Sequence, residues 1–164
     1  MIMPPYLHIN KTRNAFWWGT FLFPAITLQR LFPGVDFLLV GLLVTLQERR
    51  YADLAWVLPL LIILQEGMGT REFGLILLWY VVVAAIFLLG RWLFDVENFL
   101  YAFLFSACLA ASYFAVAFLM SPLYAVAVDA HRLLDESIHL ALLLPVCWKL
   151  AQFTRRWTYA ASAE

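Results

Sequence analysis

Two long runs without a charged side chain constrain this sequence more than any other feature. They occupy 73–90 and 98–128, and charged residues bound each run on both sides. Runs of this length approach or exceed the roughly 20 apolar residues that a helix needs to cross a bilayer. Lipid cannot hydrogen-bond to an exposed backbone, so each membrane segment must satisfy its own amides, as a helix does. With 65% hydrophobic residues and a mean hydropathy of +0.83, the sequence predicts an all-α fold, a polytopic transmembrane helical bundle.

The 164 residues have room for about six membrane-crossing helices joined by short connections. The predicted helices cover 14–32, 35–47, 52–66, 73–94, 98–120 and 133–153. We expect a single transmembrane domain over 1–164, with an N-terminal cytoplasmic segment at 1–13 and a cytoplasmic tail at 154–164. The second and third helices are short, so a re-entrant pair competes with two full spans. That pair would put Glu48, Arg49 and Arg50 at membrane depth, at roughly 2.5–3.5 kcal/mol for each charge, so two spans are favoured.

The distribution of lysine and arginine predicts the orientation of this bundle. If six helices alternate in direction, one side receives eight cations and the other receives three. The first group is Lys11, Arg13, Arg49, Arg50, Arg91, Lys149, Arg155 and Arg156, and the second is Arg30, Arg71 and Arg132. The side richer in these cations is the cytoplasmic one by the positive-inside rule. Both termini are therefore predicted to be cytoplasmic.

Tryptophan and glycine positions predict how the helices sit and pack. Four tryptophans near predicted helix ends are expected as anchors at the membrane interface: Trp17, Trp18, Trp92 and Trp157. The other three are expected inside the bundle: Trp56, Trp79 and Trp148. Gly41 and Gly90 are expected to let neighbouring helices approach closely, because they carry no side chain.

The connection after the third helix is the first candidate site. It is rich in glycine and polar residues, and glycine permits positive φ angles and close helix approach. Its candidate ligand- or partner-binding residues are Gln65, Glu66, Gly69, Thr70, Arg71, Glu72 and Gly74. One interpretation is a tight turn whose charges are solvated at the surface. The other is a docking loop in which Glu66 or Arg71 meets a charge on a partner protein.

The second candidate lies near the start of the sixth helix. On a helix, His131, Asp135 and His139 follow each other at i, i+4 and i+8 and share one face. Glu136 and His139 have the i, i+3 spacing of carboxylate–histidine metal sites in helical bundles. A zinc or iron site would need at least one further ligand. The alternative is a helix start in which Arg132 pairs with Glu136 four residues later.

Composition and motif spacing argue against several classes of function. The formal net charge is zero, with 11 basic and 11 acidic residues, so no nucleic-acid partner is expected. Cys108 and Cys147 lie within apolar runs and lack the CxxC-type spacing of metal and redox sites. Neither a Ser–His–Asp nor a Cys–His pattern is evident, and nearly every charge lies at the edge of an apolar run. The sequence therefore predicts no cofactor, and an enzyme is the less favoured interpretation.

The features over 33–120 follow one another in a characteristic order. A short apolar helix follows the Pro-Gly-Val-Asp sequence at 33–36, and the basic pair at 49–50 comes after it. A helix then runs into the glycine-containing turn, and a long helix ends at the basic-aromatic step 91–94 before another long span. This order resembles that of the MreD family of bacterial rod-shape-determining membrane proteins, whose turn combines an acid, a glycine–serine step and a later glycine. The approximate counterparts here are Glu66, Gly69, Thr70 and Gly74.

This resemblance, which covers about half of the chain, implies a non-enzymatic bundle in the bacterial inner membrane. Such a subunit would belong to the cell-shape and peptidoglycan-synthesis machinery, with an MreC-like protein and cell-wall synthases as its partners in the lipid bilayer. The family's fold also looks like the substrate-binding subunits of energy-coupling-factor transporters, which supplies an alternative function. Two further alternatives are an accessory subunit of another membrane complex and a small metal-dependent membrane enzyme.

The predicted orientation determines which single cysteines react in intact cells. In a variant without Cys108 and Cys147, Thr70→Cys is expected to react with an impermeant maleimide added outside the cells. Met3→Cys and Ser162→Cys are expected to react only after the membrane is opened, because both ends are predicted to be cytoplasmic. Labelling of the two ends from opposite sides would contradict this layout.

Overall fold

In the described part of the chain, six helices form in the order that the apolar runs predict. The computed structural model describes residues 11–32, 35–49, 51–67, 75–94, 98–120 and 130–160. The helices are α1 (Lys11–Leu31), α2 (Leu38–Gln47), α3 (Tyr51–Gly67), α4 (Leu75–Leu93), α5 (Phe99–Met120) and α6 (Ala130–Ala160). No strand occurs within these described ranges. The predicted all-α class is therefore confirmed for the described part of the chain.

Local contacts explain where α2 begins and ends. The carboxylate of Asp36 accepts a hydrogen bond from the backbone N–H of Leu39 at 3.0 Å. This bond satisfies one of the amides that the first turn of a helix leaves open. After α2 the backbone turns at Arg49, which has a positive φ of 57°. A residue in this left-handed region is a common end of a helix, and α3 begins two residues later.

The largest difference from the predicted bounds is the length of α6. This helix covers 31 residues, about 46 Å, and extends past the predicted span 133–153 at both ends. Its last turns carry Arg155 and Thr158, which hydrogen-bond to side chains near α2 and in α1. Because those contacts hold the last turns, α6 continues through the first residues of the segment predicted as a tail.

The short helix α2 lies at the centre of the bundle, in contact with α1, α3, α4 and α6. Every residue from Leu38 to Leu46 is buried. The helix has 10 residues and is about 15 Å long, half of the ~30 Å hydrocarbon core of a bilayer. A helix this short is tolerated at membrane depth where protein, rather than lipid, surrounds its ends.

α5 packs between α4 and α6, and aromatic side chains fill the junction. The ring of Trp148 lies 6.1 Å from Phe87, 6.1 Å from Tyr101 and 5.6 Å from Phe105, measured between ring centres. Tilted and edge-to-face pairs at these distances add to the free energy gained from burial alone. The aromatic junction therefore fixes how these three helices pack.

The tryptophan predictions are confirmed in part. Trp79 and Trp148 are buried as expected, whereas Trp56 is partly exposed. Trp92 and Trp157 are exposed near helix ends, as interfacial anchors would be. The same prediction is wrong for Trp17 and Trp18, which are buried. Their rings pack against each other and against Phe21. These ring contacts hold both side chains inside the bundle.

Two segments, Ile76–Leu93 and Phe99–Leu119, are long and apolar enough to cross a membrane by length and composition. Only 28% of the first segment and 33% of the second are buried inside the structure. Most of their residues are therefore at least partly exposed on the outside of the bundle. A bundle in which all six helices cross the bilayer remains a prediction.

Gly41 lies in the tight contact between α1 and α2. A Cβ atom built on it would lie 2.8 Å from Cε1 of Phe21 and 2.9 Å from Cζ3 of Trp18. The two rings pack edge-to-face on each other, so neither can move without disturbing the other. Gly90 is similar, since its Cβ would lie 2.9 Å from the Tyr101 hydroxyl. The close approaches predicted at both glycines are confirmed.

Replacing Gly41 with alanine is expected to lower the free energy of unfolding by about 1–3 kcal/mol, the usual cost of overpacking a core. The matched control is Gly19→Ala in α1, where no described atom would lie within 4 Å of the added Cβ. Thermal unfolding in one detergent, followed by helical circular dichroism, compares the two variants. Equal melting temperatures would contradict the tight contact at Gly41.

Candidate functional site

A buried arginine near the end of α6 is the most unusual polar feature of the bundle. Arg155 has 1% of its surface exposed. Its Nε donates to Oε1 of Glu48 at 2.5 Å, and its Nη2 donates to Oε2 at 2.7 Å. This two-point geometry is the strong form of an arginine–carboxylate pair. Removing a guanidinium from water costs several kcal/mol unless a partner compensates it, so Glu48 makes this burial possible.

Side chains from α1 complete the surroundings of Arg155. Its Nη2 also donates to Oδ1 of Asn14 at 3.5 Å. Its guanidinium carbon lies 4.4 Å from the ring centre of Trp17, a distance at which a cation is attracted to an aromatic face. The start of α1, the residue after α2 and the end of α6 therefore meet at one guanidinium.

Two more hydrogen bonds join the same three helices. Nε2 of Gln152 donates to Oε1 of Gln47, which links α6 to α2. Nη2 of Arg13 donates to the backbone carbonyl of Thr158, which links α1 to α6. We define the Arg155 cluster as Arg13, Asn14, Trp17, Gln47, Glu48, Gln152 and Arg155, and call this part of the bundle the Arg155 end.

Tertiary contact, rather than local preference, explains the position of Glu48. It is the C-cap residue of α2, and the partial negative charge at a helix C-terminus disfavours a carboxylate there. The positive charge of Arg155 offsets that repulsion. The pair therefore fixes the end of α2 against α6 at a point where α2 alone would not select an acid.

At the opposite end of the bundle, Glu136 joins α6 to α5. Its Oε2 accepts a hydrogen bond from the Tyr113 hydroxyl at 2.9 Å. Its Oε1 accepts one from Nε of Arg132 at 3.1 Å. The Arg132–Glu136 pair expected at the start of the sixth helix is confirmed. We call this region the Glu136 end.

The four residues of the metal hypothesis do not converge on one point. Across the residues that the structure describes, no three His, Cys, Asp or Glu side chains are grouped to hold a metal ion. His131, Asp135 and His139 are exposed on α6, and Nδ1 of His139 lies 2.7 Å from the backbone carbonyl oxygen of Asp135. The contacts of Glu136 favour the alternative interpretation, in which this segment is a helix start held by an ion pair.

The glycine-containing turn falls partly within the described ranges. Gln65 lies in α3 and is buried, and its Nε2 donates to the Tyr80 hydroxyl in α4 at 3.0 Å. Glu66 is half-buried near the end of α3. The remaining predicted residues lie outside the described part of the chain: Gly69, Thr70, Arg71, Glu72 and Gly74. Of this candidate site, the structure therefore shows a helix–helix contact at Gln65.

Sequence patterns alone do not single out Glu48, Arg155 or Trp17 as a site. The two charges are expected as solvated helix ends, because each follows the end of a predicted helix. No local signal marks the burial of these two charges, because charged residues are almost always exposed unless they are paired, and the pairing here joins residues that are far apart in the sequence.

No family model matches this chain, and no curated protein or solved structure is measurably similar to it. The function of this protein must therefore be inferred from the geometry of the bundle.

Removing either partner of the Arg155–Glu48 pair is expected to destabilise the protein, but unequally. Glu48→Leu leaves a buried guanidinium without its carboxylate, which costs about 3–5 kcal/mol. Arg155→Met leaves a carboxylate whose side chain is already 29% exposed and can gain water, so a smaller loss of about 1–3 kcal/mol is expected. Thermal unfolding of both variants in one detergent measures the difference.

The control for this comparison is Arg132→Met. Arg132 also pairs with a glutamate, but its side chain is 73% exposed, so less than about 1 kcal/mol should be lost. The double variant Glu48→Leu with Arg155→Met is expected to unfold at a higher temperature than Glu48→Leu alone. If Glu48→Leu were no less stable than Arg132→Met, the central role of the buried pair would be refuted.

Proposed function

We propose that this protein is a multi-pass, non-enzymatic subunit of a multi-protein complex in the bacterial inner membrane. By analogy with the MreD family, the complex would be the cell-shape and cell-wall elongation machinery. Its partners would be an MreC-like protein and the cell-wall synthases. The polarity and length of the outer helices support a membrane subunit of this kind.

The observation that carries the proposal is the apolar outer face of α6. Its exposed positions include a stripe of large apolar side chains at helical spacing: Leu134, Ile138, Leu142, Val146, Leu150, Phe153 and Trp157. Its buried positions are mostly apolar too, with the polar residues Ser137, Gln152 and Arg155 among them. A helix on the surface of a water-soluble protein keeps its apolar residues on the inner face and polar ones outside. Lipid is the solvent that favours an apolar stripe on the outer face.

The length of the α6 stripe matches the thickness of a membrane. From Leu134 to Trp157 the helix rises by about 35 Å, and the hydrocarbon core is about 30 Å thick. Arg132 precedes the stripe and Arg156 lies at its far end, and both are exposed. Between these cations the exposed positions are apolar from Leu142 to Leu150 and polar at Asp135 and His139. Arginines near both ends of an apolar stripe are typical of a helix that meets both membrane interfaces.

The outer face of α1 is also compatible with lipid. Along this face lie, in order, Phe16, Thr20, Phe23 and Thr27, and all four are exposed. The hydroxyl of Thr20 donates to the Phe16 carbonyl at 3.0 Å, and that of Thr27 donates to the Phe23 carbonyl at 2.9 Å. Because these donors are satisfied within the helix, the face needs no water.

The Arg155 end fits the cytoplasmic side of the proposed topology. It gathers the start of α1 and the ends of α2 and α6, together with Arg13, Arg155 and Arg156. A surplus of cations favours the cytoplasmic side. The interhelical polar pairs at Arg155, Glu136 and Gln65 each join two helices. They stabilise the packing of the helices, as a scaffold subunit requires.

A second candidate is a small-molecule-binding bundle like the substrate-binding subunits of energy-coupling-factor transporters. The observation that favours it is a continuous set of polar and aromatic contacts toward the Glu136 end. Gln65 bonds to Tyr80, and the neighbouring Trp79 packs edge-to-face on Tyr113 at 5.6 Å. Nε1 of Trp79 is buried and has no hydrogen-bond acceptor among the described residues. A bound polar ligand would supply that acceptor.

Mass spectrometry of the tagged protein, solubilised from its native membrane in mild detergent, tests the proposal. A scaffold subunit is expected to bring down a single-span MreC-like protein and cell-wall synthases above the level seen with an unrelated tagged multi-pass protein. If the protein is instead a small-molecule-binding bundle, one small molecule is expected to raise its melting temperature. Ligand at 100 times its Kd adds about 2.7 kcal/mol to the free energy of unfolding. Recovery of neither partner above that control would overturn the scaffold assignment.

A further inference from the structure

A cleft between α1 and α6 opens on the outer surface of the bundle. Its volume is about 380 Å³. Its walls include Phe16 and Thr20 from α1 and Leu150 and Thr154 from α6, and Phe37 and Val40 also line it. Most of the lining side chains are apolar, so water gains little by filling it.

The shape of the cleft suits a thin chain rather than a helix. On α1 its lining runs from Phe16 to Leu28, about 18 Å of helix. A helix about 10 Å across would occupy roughly 1,400 Å³ over that length, more than the cleft encloses. A whole helix therefore does not fit inside the cleft, whereas one extended hydrocarbon chain is thin enough to lie in it.

The length and position of the cleft correspond to one leaflet of a bilayer. Half of the hydrocarbon core is about 15 Å thick, close to the length of the lining along α1. The cleft begins at the Arg155 end, where Thr158 lines it. In the proposed topology that end lies at the cytoplasmic surface, so the cleft would extend through the inner leaflet.

The mouth of the cleft is cationic. Arg13 donates to the backbone carbonyl of Thr158, which places its guanidinium beside a lining residue. Arg155 lies over the ring of Trp17, another lining residue. Glu48 balances only one of these two charges. Basic pockets between membrane helices on the cytoplasmic side bind anionic lipid headgroups, and a guanidinium has five N–H donors to offer a phosphate.

We propose that this cleft holds one acyl chain of an anionic phospholipid from the inner leaflet, with the lipid phosphate at Arg13. The inference rests on the membrane topology proposed above but not on the identity of any protein partner. The apolar walls hold the chain, and Arg13 selects the headgroup. The lipid would thereby fill the space between the first and last helices and join them along the leaflet.

The test uses the full-length protein in detergent with added phosphatidylglycerol or phosphatidylcholine of identical chains, and native mass spectrometry to count bound lipid. The wild-type protein is expected to retain phosphatidylglycerol about fivefold better, the effect of one cation beside an anionic headgroup. Arg13→Gln is expected to abolish this preference. Arg30→Gln at the other end of α1 is the matched control and should keep it.

Filling the cleft tests the position of the acyl chain. Thr20→Phe is expected to reduce retention of both lipids, whereas Thr27→Phe should not. The two threonines are both exposed on α1 and bond to the carbonyl four residues earlier, but only Thr20 lines the cleft. Thr154→Phe fills the cleft from the α6 wall and replaces Thr20→Phe if that variant does not fold.

The outcomes separate this inference from the proposed function. Equal retention of the two lipids by the wild-type protein, or equal effects of Thr20→Phe and Thr27→Phe, would overturn the lipid site while leaving partner recovery unaffected. Loss of partner proteins in Thr20→Phe with lipid retention unchanged would also overturn it, because the cleft would then dock protein. If the protein shows the lipid preference but no partner protein is recovered with it, the lipid site stands and only the scaffold role is refuted.

Discussion

The burial of one guanidinium determines how the start of α1 and the end of α6 come together. Arg155 sits where water is excluded, so it requires a carboxylate, and the nearest one is Glu48 just after α2. That requirement places the end of α6 against the end of α2. The contact between the same guanidinium and the ring of Trp17 adds the start of α1. Breaking such a pair costs far more than an exposed ion pair, because one charge would stay buried alone.

The same constraint explains why a helix as short as α2 can lie at the centre of the bundle. Its apolar side chains are buried on every side. Its first turn is capped by Asp36, and the residue after its last turn is paired with Arg155. The first turn is thus satisfied inside the protein by the buried Asp36, while Glu48 at the other end is partly exposed and held by Arg155. α2 is therefore a core element, and the helices around it present the outer surface.

The proposed function and the lipid site are connected through Trp17. One face of its ring meets the guanidinium of Arg155, and the residue also lines the cleft between α1 and α6. A chain held in the cleft would pack against a side chain that supports the buried ion pair. In the proposed membrane subunit, lipid occupancy would then affect the stability of the Arg155 end. The exposed apolar stripe of α6 agrees with a lipid-facing outer surface.

The sequence by itself determined the helices, because a long uncharged run can satisfy its backbone in few ways. It also indicated the close approaches at Gly41 and Gly90 and the Arg132–Glu136 pair, since these follow from residue size and from i, i+4 spacing. The tertiary structure alone decided which polar residues are buried. Glu48 and Arg155 are 107 residues apart, and nothing local distinguishes them from solvated charges at helix ends. The burial of Trp17 and Trp18 and the cleft between α1 and α6 were likewise decided by packing, because a side chain's neighbours depend on how distant helices meet.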